Sequence, residues 1–153
     1  MLYNIINDDI KNLSNLYESD SFDIITCNPP YFKYDKNKSL INEDEEKAIA
    51  RHEITLNLEK LFAIAKKLLK NNGVISIVHR PERFVEVVEE MKKNNIEPKK
   101  VQFVYPKKDM EANIMLIEGS KNGKPGLKIL PPLYTHLENG DYTEEVLKIF
   151  GKC

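Results

Sequence analysis

Apolar and polar positions along the 153 residues fall into short blocks, each with its own period. Residues 2–6 and 22–26 are apolar runs closed by polar or proline-rich stops, Asn7-Asp8-Asp9 and Asn28-Pro29-Pro30-Tyr31, and both predict strands. Residues 33–47 are polar and charged throughout, which predicts a loop leading into a helix. From Leu58 the apolar positions Leu58, Leu61, Phe62, Ala65, Leu68 and Leu69 follow helical spacing. Asn71-Asn72-Gly73 supplies the stop, because glycine accepts the left-handed conformation that ends a helix. The β-branched run VISIV, residues 74–78, predicts a central strand covered on both faces.

Pro81 then stands where a helix can start without wasting a donor, and Phe84, Val87, Val88 and Met91 lie at i, i+3, i+4 and i+7, predicting a second one-sided helix. Residues 101–105 and 113–118 predict two more strands. The connection between them, residues 106–111, is too short for a crossover helix, so the pair is expected to be antiparallel. Residues 127–133, broken by Pro131-Pro132, read as an extended edge segment, and residues 143–150 as a short terminal helix.

Strand, helix, strand, helix and a closing antiparallel hairpin describe the carboxyl-terminal part of a Rossmann-like α/β sheet. Such sheets open with a strand, a glycine-rich turn and a helix that cradle a cofactor, yet the six glycines form no G-x-G cluster after an early strand. The expectation is a single partial domain over residues 1–153 that enters its sheet part-way. The first apolar run then lacks its usual neighbours. It is expected to pair beside residues 22–26, to move onto another chain, or to stay unordered, and the open edge makes a homo-oligomer the expected partner state.

Composition changes this picture little. A hydrophobic fraction of 41% with 31% charged residues and a net charge of −1 is ordinary for a globular protein, so any nucleic-acid affinity has to come from a local patch. Cys27 and Cys153 make neither a ligand spacing nor a disulfide framework, no metal site is expected, and no apolar run approaches the roughly 20 residues of a membrane span. A cytoplasmic location follows as the expectation.

The chemistry concentrates in Asn28-Pro29-Pro30-Tyr31. Ligands bind outside the carboxyl ends of strands in open α/β sheets, which is where this tetrapeptide falls. The prolines fix φ and carry no N–H, leaving carbonyls free to accept. An exocyclic amine is a poor nucleophile because its lone pair is delocalised into the ring. Two acceptors, the Asn28 side-chain oxygen and the Pro29 carbonyl, can each take one N–H and favour a more tetrahedral nitrogen. Neutral acceptors suit a nitrogen that becomes cationic before it loses its proton. Tyr31 offers a face for stacking a planar base and Phe32 extends it. Such an amine needs a strong methyl donor, a sulfonium cofactor.

On these residues the chain resembles the class I S-adenosylmethionine-dependent N-methyltransferases with an Asn-Pro-Pro-Tyr motif, and within them the bacterial group that methylates N6 of the adenine beside the anticodon of a valine tRNA. The stretches NPPYF, ARHEITLNLEKL, VHRPERF, EPKKVQFVYPK, EANIMLIEG and GLKILPPL carry that resemblance across essentially the whole chain. It implies that Asn28 and Pro29 hold the amine, that Pro30 and Tyr31 complete the catalytic motif, and that Asp9 lies near the adenine of S-adenosyl-L-methionine. It also implies an N-terminal segment with the glycine-rich cofactor loop, which this sequence does not contain, so the chain alone is expected to be inactive.

Other candidates are weighed against plainer explanations. Arg51 and His52 precede the first packed helix and His79 and Arg80 end a central strand; each pair either contacts substrate or serves as a solvated or capping group. Asp8 and Asp9 also suit a helix cap. Lysines such as Lys99, Lys100, Lys107 and Lys108 are ordinary solubility residues unless they cluster on the motif's face. Cys27 reads as a small buried residue beside the site. The same motif serves adenine in DNA, guanine N2 in ribosomal RNA, or a glutamine amide in protein, and the competing view is a non-catalytic chain that self-associates or binds RNA weakly.

Overall fold

A computed structural model describes residues 4–29 and 58–152. A 3-10 turn, Ile10–Asn12, runs into a single helical turn α1, Leu13–Leu16, followed by β1, Phe22–Cys27. Helix α2, Leu58–Leu68, leads into β2, Leu69–His79; a 3-10 turn at Pro81–Arg83 opens α3, Phe84–Lys93. The chain then forms β3, Ile96–Tyr105, β4, Ile114–Lys121, the two-residue strands β5, Lys128–Ile129, and β6, Leu133–Tyr134, and ends in α4, Glu144–Ile149.

The strands lie in the order β1-β2-β4-β3-β5, with β6 also on β3. β1 and β2 are parallel, β4 is antiparallel to both β2 and β3, and β5 and β6 run parallel to β3. The expected hairpin is therefore present, and β1, β2 and β3 all point their carboxyl ends to one side of the sheet. The edge segment is split in two because Pro131 and Pro132, having no N–H, cannot continue a ladder.

The one-sided helices pack as their spacing requires. α2 buries Leu58, Leu61, Phe62, Ala65 and Leu68, and α3 buries Val87 and Met91 with Phe84 and Val88 partly covered. Glu59 in the first turn of α2 and Lys66 and Lys67 in its last complement the helix dipole. Both helices cover one sheet face, joining Leu69, Ile75, Ile77, Ile96, Val101, Met115 and Ile117 in a single core. Each such side chain, fully buried, contributes about 1.5–3 kcal/mol of transfer free energy. Phe84 meets Phe103 edge-on at a centroid distance of 5.8 Å, fixing α3 on β3. Gly119 lets α3 come close: a Cβ there would collide with Met91 Cε and lie 2.7 Å from Ile96 Cγ2.

Two expectations are corrected, and one unexpected element appears. Asn4, Ile5 and Ile6 are exposed and outside any strand, so the described part of the first apolar run makes no ladder; an unpaired strand gains no hydrogen bonds to offset its ordering. The turn and helix at residues 10–16 had no expected counterpart, since Ile10 and Leu13 are too few apolar positions to show a period. VISIV is sealed on one face only. Ile75 and Ile77 are buried, whereas Val74, Ser76 and Val78 are half-buried on the face away from α2 and α3.

Candidate functional site

Strand β1 ends at Cys27, and the register sets Cys27 beside Ile77 of parallel β2. Side chains alternate across the pleat, so Cys27 goes to the helix face and Asn28 to the other. Cys27 packs against the core, and burial raises its thiol pKa, as expected of a structural residue. Asn28 is exposed at the carboxyl end of β1 and Pro29 is buried behind it. Asn28 opens on a cavity of about 430 Å3 on the second sheet face, whose walls include Thr26, Ser76, Val78, Gln102 and Leu116. Gln102 donates from Nε2 to Pro131 O at 3.0 Å, tying the β5–β6 segment to the cavity wall. Lys100 Nζ and Glu118 Oε1, 2.9 Å apart, close the end remote from the strand tip.

His79, the last residue of β2, and Arg80, which follows it, part company. His79 is turned inward, 1% exposed, on the helix face; its Nδ1 accepts the Arg80 N–H at 2.8 Å. Burial, followed by the nearby Arg83 cation, lowers its pKa below the ordinary imidazole value. Arg80 stays half-exposed and donates from Nη1 to the Asn113 carbonyl at 3.1 Å, spanning from the end of β2 to the start of β4. Arg83 is engaged by Glu86 through a two-pronged pair whose Nε–Oε2 arm is 2.8 Å. Arg80 thus carries its guanidinium at the same sheet end as Asn28.

Asp9 is exposed in the turn before α1. Its neighbour Asp8 braces the turn without capping the helix: Oδ1 accepts the Asp9 N–H and the Asn12 Nδ2–H, each at 2.7 Å. Ile10 packs at the edge of the core and, with Leu13 and Tyr17, lines a groove shared by β1 and α2. Pro30, Tyr31, Phe32, Arg51 and His52 lie outside the described residues. Of the lysines, Lys99 donates to Lys124 O, Lys100 pairs with Glu118 and Lys107 donates to Glu138 O, so these three are held by the protein itself. Among the described residues no cluster of His, Cys, Asp and Glu could hold a metal ion, and no helix is long and apolar enough to cross a membrane.

The cavity wall was not singled out from sequence. Its signal was Ser76, a polar residue inside an otherwise apolar run, which marks the side of β2 that is not sealed by helices.

Residues 3–111 match the model of the Eco57I restriction-modification methylase family. The chain belongs to that family. Among curated relatives, the Parabacteroides distasonis protein named tRNA1(Val) (adenine(37)-N6)-methyltransferase is 30% identical over 136 residues, covering 86% of this chain and 54% of the relative. The protein of the same name from Porphyromonas gingivalis is 37% identical over 77 residues, covering 50% of this chain and 29% of its own length. This member of the methylase family therefore spans about half the length, or less, of these relatives. Among solved structures, a predicted O-methyltransferase from Agrobacterium tumefaciens aligns with a TM-score of 0.70 at 17% identity, over 95% of this chain and 61% of that one, which shows a shared methyltransferase fold.

Proposed function

We propose that this chain supplies the acceptor side of an S-adenosylmethionine-dependent methyl transfer to the N6 amine of an adenine in tRNA. The observation that carries the reading is the placement of Asn28 and Pro29 at the carboxyl end of β1, against parallel β2 and open to a cavity on the second face. The Asn28 Oδ1 and the Pro29 carbonyl each accept one N–H of the amine, localise its lone pair and tolerate the positive charge that develops on nitrogen. Tyr31 and Phe32 stack the base. Arg80, with Arg51 and His52, contacts RNA phosphate, and His79 is a positioning residue that holds the Arg80 backbone by its Nδ1.

The bound sulfonium cofactor supplies an electrophilic methyl group. The residues present fit the acceptor and not the donor: Asp9 is the one candidate for cofactor contact, and the sequence has no glycine-rich turn to hold it. The chain by itself is therefore proposed to be inactive, and a cytoplasmic tRNA its substrate in the complete enzyme. Calorimetric titration with S-adenosylmethionine is expected to give no micromolar binding by the 153 residues; micromolar binding would sink the claim of inactivity. In the complete enzyme Asn28→Ala is expected to lower methyl transfer at least about 100-fold while cofactor binding persists, and near-normal turnover would remove Asn28 from the mechanism.

The family's description favours one second reading, adenine in DNA as acceptor. Parallel assays on unmodified tRNA and on duplex DNA separate the two.

A further inference from the structure

Cations are held differently at the two ends of the strands. Around the amino ends of β2 and β3, lysines meet carboxylates: Lys70 lies 2.9 Å from Asp23, Lys121 lies 2.7 Å from Asp20, and Lys92 pairs with Glu97. These charges cancel locally. At the carboxyl ends Arg80 donates to the Asn113 carbonyl and Lys107 Nζ to the Glu138 carbonyl, each at 3.1 Å, and among the described residues neither has an ion-pair partner. A carbonyl fixes a cation without neutralising it and leaves the other N–H groups of the side chain free to donate elsewhere. The acids of the loop that contains Lys107, Asp109 and Glu111, are exposed and pair with neither cation.

Residues 134–138 run alongside residues 105–107: the Thr135 N–H donates to Tyr105 O at 2.9 Å and the His136 N–H to Pro106 O at 3.0 Å. Lys107 therefore shares a patch with Tyr105 and Tyr134, which are partly exposed with ring centroids 5.5 Å apart. Neither phenol makes a hydrogen bond through its hydroxyl among the described residues. A fixed, uncancelled cation beside aromatic rings meets the two needs of an unpaired nucleic-acid strand, a phosphate contact and a surface on which a base can stack.

We infer that this patch is a second RNA subsite, which holds a nucleotide of the unpaired strand flanking the target adenine, with Lys107 on its phosphate and Tyr134 against its base. In the strand order β1-β2-β4-β3 the end of β3 stands three strand spacings from the end of β1, about 14 Å from Asn28. Arg80, at the end of β2, lies between them. The strand then follows the carboxyl edge of the sheet from Asn28 past Arg80 to Lys107. This inference rests on the reading of an RNA acceptor, and it uses no residue of β1.

Fluorescence anisotropy of a labelled RNA stem-loop with adenine in its loop, titrated with the 153-residue chain between about 50 and about 200 mM salt, tests it. Lys107→Gln can still donate to the Glu138 carbonyl, so it removes the charge and keeps the brace; it is expected to weaken binding severalfold and to reduce the salt slope by about 1. Lys70→Gln, which removes a charge that Asp23 already cancels, is expected to leave the slope unchanged. Tyr134→Leu is expected to weaken binding about tenfold and Tyr134→Phe to retain it, since stacking needs the ring and not the hydroxyl. No binding by the natural chain at the lowest salt, an unchanged slope in Lys107→Gln, equal losses in Lys107→Gln and Lys70→Gln, or equal losses in the two Tyr134 variants would each overturn the inference. Losses confined to duplex DNA would do the same. Because the readout is binding, the two readings fail separately: turnover that survives Asn28→Ala sinks the reaction, whereas an unchanged slope in Lys107→Gln sinks only this subsite.

Discussion

Ile75, Ile77 and His79 point to one face of β2 and Ser76 and Val78 to the other, and the two sets live in different surroundings. The first set is no more than 2% exposed beneath α2 and α3. The second lies half-buried along a cavity that ends at Asn28. Among the described residues one corner of that second face is covered by a helix, where Val146 of α4 packs with Val104 and Leu133. The difference teaches that stability and candidate chemistry are drawn from alternate residues of the same strands. A side chain that seals the helix face cannot also meet a ligand, and one that meets a ligand cannot be fully sealed. His79 and Asn28, at the carboxyl ends of neighbouring parallel strands, fall on opposite sides of this division.

The comparison can be broken first at the strand they share. Ile75→Ala is expected to cost about 2–5 kcal/mol, because a fully buried side chain leaves a cavity, whereas Val78→Ala is expected to cost about 1 kcal/mol or less. Urea titration of both variants checks this, and equal losses would mean that the second face is as tightly covered as the first. A smaller effect is expected at Gly119. Adding a methyl group there presses on Met91 and Ile96 across the sealed interface, at an expected cost of about 1–3 kcal/mol for Gly119→Ala. Thermal unfolding that leaves Gly119→Ala unchanged would show the helix face to be looser than its packing suggests.

The smallest effect is a pH dependence. His79 has a folded pKa below its unfolded value, chiefly because it is buried and then because of Arg83. The unfolded chain takes up the proton first, so the contribution to stability is complete above about pH 6.5 and is lost as pH falls from there through the folded pKa. The urea midpoint is expected to decline on acidification through that window, with a shallower decline in His79→Gln. Identical slopes would remove His79 as a contributor.

Much of the helix face was legible in advance. The 3.6-residue spacing of Leu58, Leu61, Phe62 and Ala65, and of Val87 and Met91, names residues that are in fact buried, with Phe84 partly covered beside them, because a helix packing on a sheet has to present one apolar stripe. The antiparallel pairing of β3 and β4 followed from the length of their connection alone. Less legible were elements too short to show a period, such as α1 and the divided β5 and β6. The extension of β2 back to Leu69 was hidden too, because its bulge at Asn72, which has a φ of 62°, looks in sequence like a plain helix stop.

For the site, the local sequence determined that an amide and two prolines end an apolar strand, and with that the kind of group they can hold. Side-chain chemistry and proline geometry are properties of the residues themselves. The tertiary structure decided which neighbours those residues face. Asn28 opens on a cavity walled by Thr26, Ser76, Gln102 and Leu116, residues brought together by four strands whose order in space is not their order in the chain. It also decided that His79 turns inward while Arg80 remains at the surface, and that β1 ends the described sheet with one side unpaired. Each of these depends on strand order and pleat, which arise from contacts between residues far apart in sequence, and no local pattern encodes them.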